Sequence, residues 1–257
     1  MTIKLSTGLR HAMEGALGLA GAFRNGSIEI RTGSQPSTAD SAVTGTLLGV
    51  VTRASLPLTK EVRASQTITI AGSAGSVNAV TIGGLNIIPG GAVPFRTDAE
   101  TTASDLSKAI NSNGLFTATV SGAVVTVSPR PGAGATYNGV SFATTATTLT
   151  ATVGAATLSG GTSAVNGIVF DEPAAGVIAK PATDVWSFNG IADGTAGWFR
   201  FVGSVADAGS AIVTAPYLIR MDGSVATSGG DMNLSNLAVV VGSPNTIDSF
   251  SFNQKAQ

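Results

Sequence analysis

Apolar and polar residues alternate along much of this chain, and the alternation predicts strands. In SIEIRT (27–32), Ile28 and Ile30 point one way and Glu29 and Arg31 the other, as in a half-buried strand. TLLGVVT (46–52) is more continuously apolar and reads as a second, more deeply buried strand. After residue 164 the strand candidates are DVWSFNG (184–190), GWFRFVG (197–203), APYLIRMDG (215–223), NLAVVVG (236–242) and TIDSFSFNQ (246–254). Gly, Asp, Asn or Pro bounds each of them, and short strands at near-regular spacing predict an antiparallel sandwich or barrel. A helical period occurs first at Leu9, Met13, Ala16, Leu17, Ala20 and Phe23, with Ser6 and Thr7 as cap candidates and Asn25-Gly26 as the stop. Four glycines weaken that helix, so it must exist by docking its apolar stripe.

Between residues 61 and 163 the texture changes. QTITIAG and NAVTIGGLNII are strand-like, and TTASDLSKAINSNG (101–114) is the clearest helix, with Ala103, Leu106 and Ile110 on one face. Thr102 with Asp105 forms a capping-box pattern, and Asn113-Gly114 ends the helix. FTATV and AVVTV then form a hairpin joined by Ser121-Gly122, with Phe116, Ala118 and Val120 alternating. SPRPGAGATYNG (128–139) has no regular pattern. The Thr/Ala-rich tract 141–161 suits an exposed β edge or a linker. The expected fold is therefore mainly β. A discontinuous antiparallel β-sandwich or barrel domain with an N-terminal helix (1–60 plus 164–257) is interrupted by a small α+β insertion, a β–β–α–β–β module at 61–163.

Composition changes the picture in one respect. The hydrophobic share, 43%, is ordinary, but only 11% of residues are charged, against about 25% in typical soluble domains. Ser, Thr, Ala and Gly must cover the exterior. A Thr/Ser-rich β surface explains this, and so does a surface covered by neighbouring subunits, because interface cores are depleted of charge. The net charge of −1 and the lack of a basic cluster argue against nucleic acid. With no cysteine, disulfides and thiolate metal sites are excluded. No apolar run reaches membrane-spanning length. The N-terminal stretch superficially resembles a signal peptide, but Arg10, His11 and Glu14 interrupt its apolar region, so it reads as part of the mature protein.

Chemistry-bearing residues are sparse. Aromatic residues are 5% of the chain, yet Trp198, Phe199 and Phe201 cluster around Arg200. Alternation puts Phe199 and Phe201 on one face and Trp198, Arg200 and Val202 on the other. The stretch reads as a core strand in which Trp198 can stack on Arg200, with a protein contact through Trp198 as the alternative. Together with Trp186, these four residues are the candidate core or interface anchors. Asp222 and Asp231, in the Gly/Ser-rich segment 221–233, read first as turn formers and only secondarily as Ca²⁺ ligands. His11, the only histidine, has no evident partner for acid–base work, and Asp171-Glu172 is the only adjacent carboxylate pair. GGLNIIPGG lacks the lysine of a phosphate-binding loop. No catalytic, cofactor or metal residues are assigned, and the expectation is a protein without enzymatic activity.

Residues 5–52, followed by GTAGWFRFVGS (194–204), RMDGSVATSGGDMNLSN (220–236) and TIDSFSF (246–252), resemble a family of tailed-bacteriophage virion structural proteins of minor-tail, head-decoration or appendage type. The segment 101–139 is similar to a small module found within phage tail and sheath-like proteins. This resemblance implies a component of a symmetric particle, assembled in the bacterial host cytoplasm and located in the virion, whose partners are its own copies and other virion proteins. From composition and motifs, no cofactor, nucleic-acid or membrane partner is expected. The alternative is a tail adhesion module recognising a host-surface glycan through loops such as 33–42 or 128–139. A sugar hydrolase would need two carboxylates placed across a cleft.

Overall fold

The computed structural model describes residues 3–14, 17–174, 176–214 and 217–253. Strands hold 41% of the residues and helices 10%, so the protein is mainly β and sandwich-like, built from several antiparallel sheets. The chain forms two compact units, Met1–Glu61 with Ala164–Gln257, and Val62–Ser163.

The first unit begins with β1 (Lys4–Leu5), α1 (Thr7–Glu14), α2 (Leu19–Ala22), β2 (Ser27–Thr32) and β3 (Leu47–Arg53). The second contains β4 (Gln66–Ala71), β5 (Ser76–Ile82), β6 (Leu85–Asn86), β7 (Val93–Pro94), α3 (Ala99–Asn111), β8 (Phe116–Ser121), β9 (Val124–Pro129), β10 (Phe142–Thr147) and β11 (Thr150–Val153). The first unit resumes with β12 (Val177–Ala179), β13 (Trp186–Asn189), β14 (Gly194–Val202), β15 (Arg220–Ala226), β16 (Met232–Asn233), β17 (Ala238–Val239), β18 (Pro244–Ile247) and β19 (Ser251–Asn253).

A nine-stranded sheet in the order β1-β15-β14-β2-β3-β13-β18 organises the first unit, with β16 on β15 and β17 on β14. Register explains its core. Phe199 lies opposite Ile30 and Gly223, and Phe201 opposite Ile28 and Met221, so these side chains share one face. Helices α1 and α2 contribute Leu9, Ala12, Leu19 and Ala22 to the same core, and Phe23 stacks on Phe201 with ring centroids 4.2 Å apart. Trp186, Phe170 and Phe250 extend this aromatic cluster. Glycine is required where a ring fills the sheet surface: a Cβ on Gly49 would meet Phe188 at 2.1 Å.

The single N-terminal helix expected from the sequence is two short ones. Gly18 is extended (ψ 173°) and begins α2, which breaks the period; Gly15 and Ala16 lie outside the described residues. Ser6 does cap α1, its Oγ accepting the Leu9 N–H.

In the second unit, two four-stranded sheets, β10-β5-β6 with β7 on β5 and β11-β4-β9-β8, contribute with α3 to a separate core. It is larger than the expected β–β–α–β–β module. The Thr/Ala-rich tract is neither floppy nor a linker: β10 pairs with β5 and β11 with β4, each at the end of its sheet. Helix α3 buries Ala103, Leu106 and Ile110 as its period predicts, but it starts earlier than the Thr102 box. Asp98 is the cap, accepting the Thr101 N–H at 2.7 Å, while Thr102 Oγ1 donates to the Asp98 carbonyl. The following hairpin is shifted by one residue. Ser121 pairs with Val124, so Gly122-Ala123 is the turn, and Val120 is exposed instead of facing the core. Gly122 has φ 55°, and a two-residue II′ turn needs its glycine at that first central position.

Candidate functional site

The face of the nine-stranded sheet opposite the aromatic core carries charge. Register sets Lys4, Asp222, Arg200 and Glu29 in one row across β1, β15, β14 and β2, with alternating sign. Directly opposed residues share a face, so each charge has an opposite one beside it. Arg200 donates from Nε and Nη2 to the two Asp222 oxygens, both at 2.7 Å, and both side chains are 0% exposed. Glu29 is held by Arg31, two positions along β2, at 2.9 Å. A second buried fork joins Arg220 to Asp207, with both contacts at 2.6 Å.

Two segments without regular structure cover this row. Arg200 and Arg220 both donate from Nη1 to the Ser41 carbonyl, at 3.1 and 3.4 Å. Asp40 accepts from the Thr7 N–H and hydroxyl and so also fixes the first turn of α1. The Val43 N–H donates to Gly209 O and the Ile212 N–H to Asp40 O, tying the two segments to each other. The loop 33–42, considered for glycan recognition, is thus fastened from below by two guanidinium groups.

Burial pushes the Asp222 carboxyl above its usual range, and the Arg200 hydrogen bonds and charge only partly oppose this. For Asp207 burial also acts upward, but the Arg220 hydrogen bonds, the Gly209 N–H and both arginines outweigh it and leave the carboxyl low. Lys60 donates to Ser27 Oγ at 3.0 Å and to the Gly203 carbonyl at 2.9 Å. Burial pulls its amine down to about 8, against the attraction of Glu29, Asp207 and Glu61. A neutralisable amine beside a hydroxyl has the geometry of a base and its nucleophile. Here the Ser27 side chain is buried, 1% exposed, and the second bond to Gly203 makes Lys60 a fastening between β2 and the end of β14.

All five anchor candidates, Trp198, Arg200, Phe199, Phe201 and Trp186, are fully buried. The guanidinium carbon of Arg200 sits 5.5 Å from the Trp198 ring centroid, and the indole N–H of Trp198 donates to the Thr32 carbonyl at 3.1 Å. Trp198 therefore anchors the inside of the unit and offers no outer surface to a partner. Asp222 and Asp231 do not converge on a cation. Asp222 lies in β15, not in a loop, and Asp231 accepts the Ser224 N–H and hydroxyl at 2.8 and 2.7 Å. His11 is exposed on α1, edge-on to Tyr217 with ring centroids 5.5 Å apart.

The surface is where the chain is unusual. Ile191, Val240 and Val241, each 56–59% exposed, form one apolar tip, and Leu56 and Val185 lie exposed at the other end of the β3–β13 pair. Backbone bonds bring the members of each group together: Gly242 N–H to Gly190 O, and Ala54 N–H to Val185 O. A cleft of about 200 Å³ lies over the Asp207–Arg220 pair, with Ile212, Val213 and Leu218 on its walls. No residue pattern signals these features, because they depend on which loops meet at a sheet end.

No protein-family model, curated protein or solved structure matches this chain.

Proposed function

We propose that this protein is a non-enzymatic structural subunit of a tailed-phage virion, assembling as a symmetric oligomer or repeating layer on head, neck or tail through charge-poor surfaces. One observation carries the reading. In a chain with so few ionised groups, Arg200, Arg220, Asp207 and Asp222 are spent inside the first unit, leaving an exterior poorer in charge than the composition implies. Exposed aliphatic groups such as Ile191, Val240 and Val241 take their place. Such a surface suits contact with protein more than with water, since interface cores are depleted of Lys, Glu and Asp. The virion context rests on the sequence resemblance alone. An adhesion reading needs several aromatics exposed together; among the described residues the large exposed apolar side chains are aliphatic apart from Tyr217.

Sedimentation of the purified chain over a wide concentration range, with immunogold imaging of intact phage particles, tests the proposal. Concentration-dependent oligomers and regular labelling of the particle are expected. A persistent monomer that labels no particle overturns it, and specific hits on a glycan array would favour the adhesion alternative.

A further inference from the structure

The tip formed by Ile191, Val240 and Val241 is held rigidly. The Ile191 N–H donates to Leu48 O, the Gly190 N–H to Ser243 O, and the Gly242 N–H returns to Gly190 O. The backbones approach so closely that a Cβ on Gly190 would meet the Val240 carbonyl at 2.2 Å. The nearby carboxylate, Asp193, accepts the Val241 N–H at 2.8 Å, so the tip is an apolar knob whose own acid is engaged.

The cleft over Asp207 and Arg220 is concave, and Ile212, Val213 and Leu218 with Ala208 and Ala211 form the apolar part of its lining, Ser210, Thr214 and the ion pair the polar part. Its volume, about 200 Å³, is room for about seven waters, or for two branched aliphatic side chains in their place. Val213 on its wall is 83% exposed, and the ion pair beneath is closed on itself. Neither surface would have to strip water from an unpaired charge when buried.

Knob and cleft lie at opposite ends of one strand. β14 starts at Gly194, directly after the knob, and ends at Val202, which pairs with Arg220 beside the cleft. Nine residues at roughly 3.3 Å each separate the two by about 30 Å. A shift along that strand brings the knob of one copy to the cleft of the next.

We propose that copies of this chain associate head to tail, with Val240 and Val241 of one copy seated in the Ile212–Val213–Leu218 cleft of another and Ile191 against its rim. The contact deepens the assembly reading above and rests on it. Two different patches make a heterologous interface, which closes into a ring or continues as a filament. Three side chains supply far less than the roughly 800 Å² per partner of a stable pair, so one contact is weak and closure or further contacts must hold the assembly.

The absence of native cysteine makes the test clean. Val241→Cys and Val213→Cys are prepared separately in the full chain, both at exposed positions, and oxidised alone and mixed. Disulfide-linked dimers are expected from the mixture and not from either variant alone. A Val240→Asp/Val241→Asp variant, with unchanged circular dichroism, should lose at least tenfold in self-association by sedimentation. Dimers of Val241→Cys with itself would mean knob against knob and overturn the proposal. So would wild-type oligomers that persist without any mixed cross-link, although the assembly reading would then survive. A wild-type chain that stays monomeric and is absent from particles would remove both.

Discussion

Arg200 and Asp222 face each other across β14 and β15 through two 2.7 Å hydrogen bonds, with neither side chain reaching solvent. Removing one member leaves the other charged, buried and alone, which costs about 3–5 kcal/mol. Arg200→Met should lower the urea midpoint accordingly, whereas Arg200→Met combined with Asp222→Leu should recover most of the loss. If the double variant is as unstable as the single one, the pair also sets the conformation of the Ser41 loop.

Lys60 gives a pH signature. Its amine titrates near 8 in the folded protein and at 10.5 in an unfolded chain. Between those values the unfolded chain holds more protons, so stability rises with pH across that window. Below pH 8 the folded state carries the full penalty of a buried cation. Denaturation midpoints measured from pH 7 to 10.5 should climb for the wild type, and the climb should flatten in Lys60→Met.

Asn111 closes a sheet edge. Its side-chain amide donates to the Ala118 carbonyl and accepts the Ala118 N–H, both at 2.9 Å, and Asn113 Oδ1 accepts the Phe116 N–H in the same way. A bare edge invites pairing with another chain. Asn111→Ala should cost about 1–2 kcal/mol and raise light scattering on prolonged incubation. Unchanged scattering would mean that the edge is protected by other means.

The second unit leaves and rejoins the chain at neighbouring points. Val62 and Thr162 exchange backbone hydrogen bonds of 3.1 and 2.8 Å, and Thr59 and Val165 do so within the first unit at 3.1 and 3.0 Å. Replacing 62–163 with a short Gly-Ser link should leave the first unit folded, with its tryptophans, Trp186 and Trp198, still shielded. Strongly red-shifted tryptophan emission from the shortened chain would contradict this.

Local pattern made part of this legible. The alternation in SIEIRT and WFRF placed Ile28, Ile30, Phe199 and Phe201 together, and the face of α3 was readable from its period. What escaped was long-range register. Asp222 looked like a turn residue because Gly follows it, and only its place opposite Arg200 makes it a strand residue. A signal was present: Arg220 and Asp222 alternate with Ile219 and Met221 as Arg200 alternates with Phe199 and Phe201. Charges at fixed period in otherwise apolar strands point to a buried polar face. The Thr/Ala tract carried no such signal, since threonine on an exposed strand and threonine in a linker look alike until β4 and β5 supply partners.

The seclusion of those guanidinium–carboxylate forks bears on where such a molecule can last. Dissolved ions weaken attraction only where they can reach it. Hidden beneath the Ser41 loop, the forks lie beyond that reach, so the fold should be as durable in brine as in fresh water.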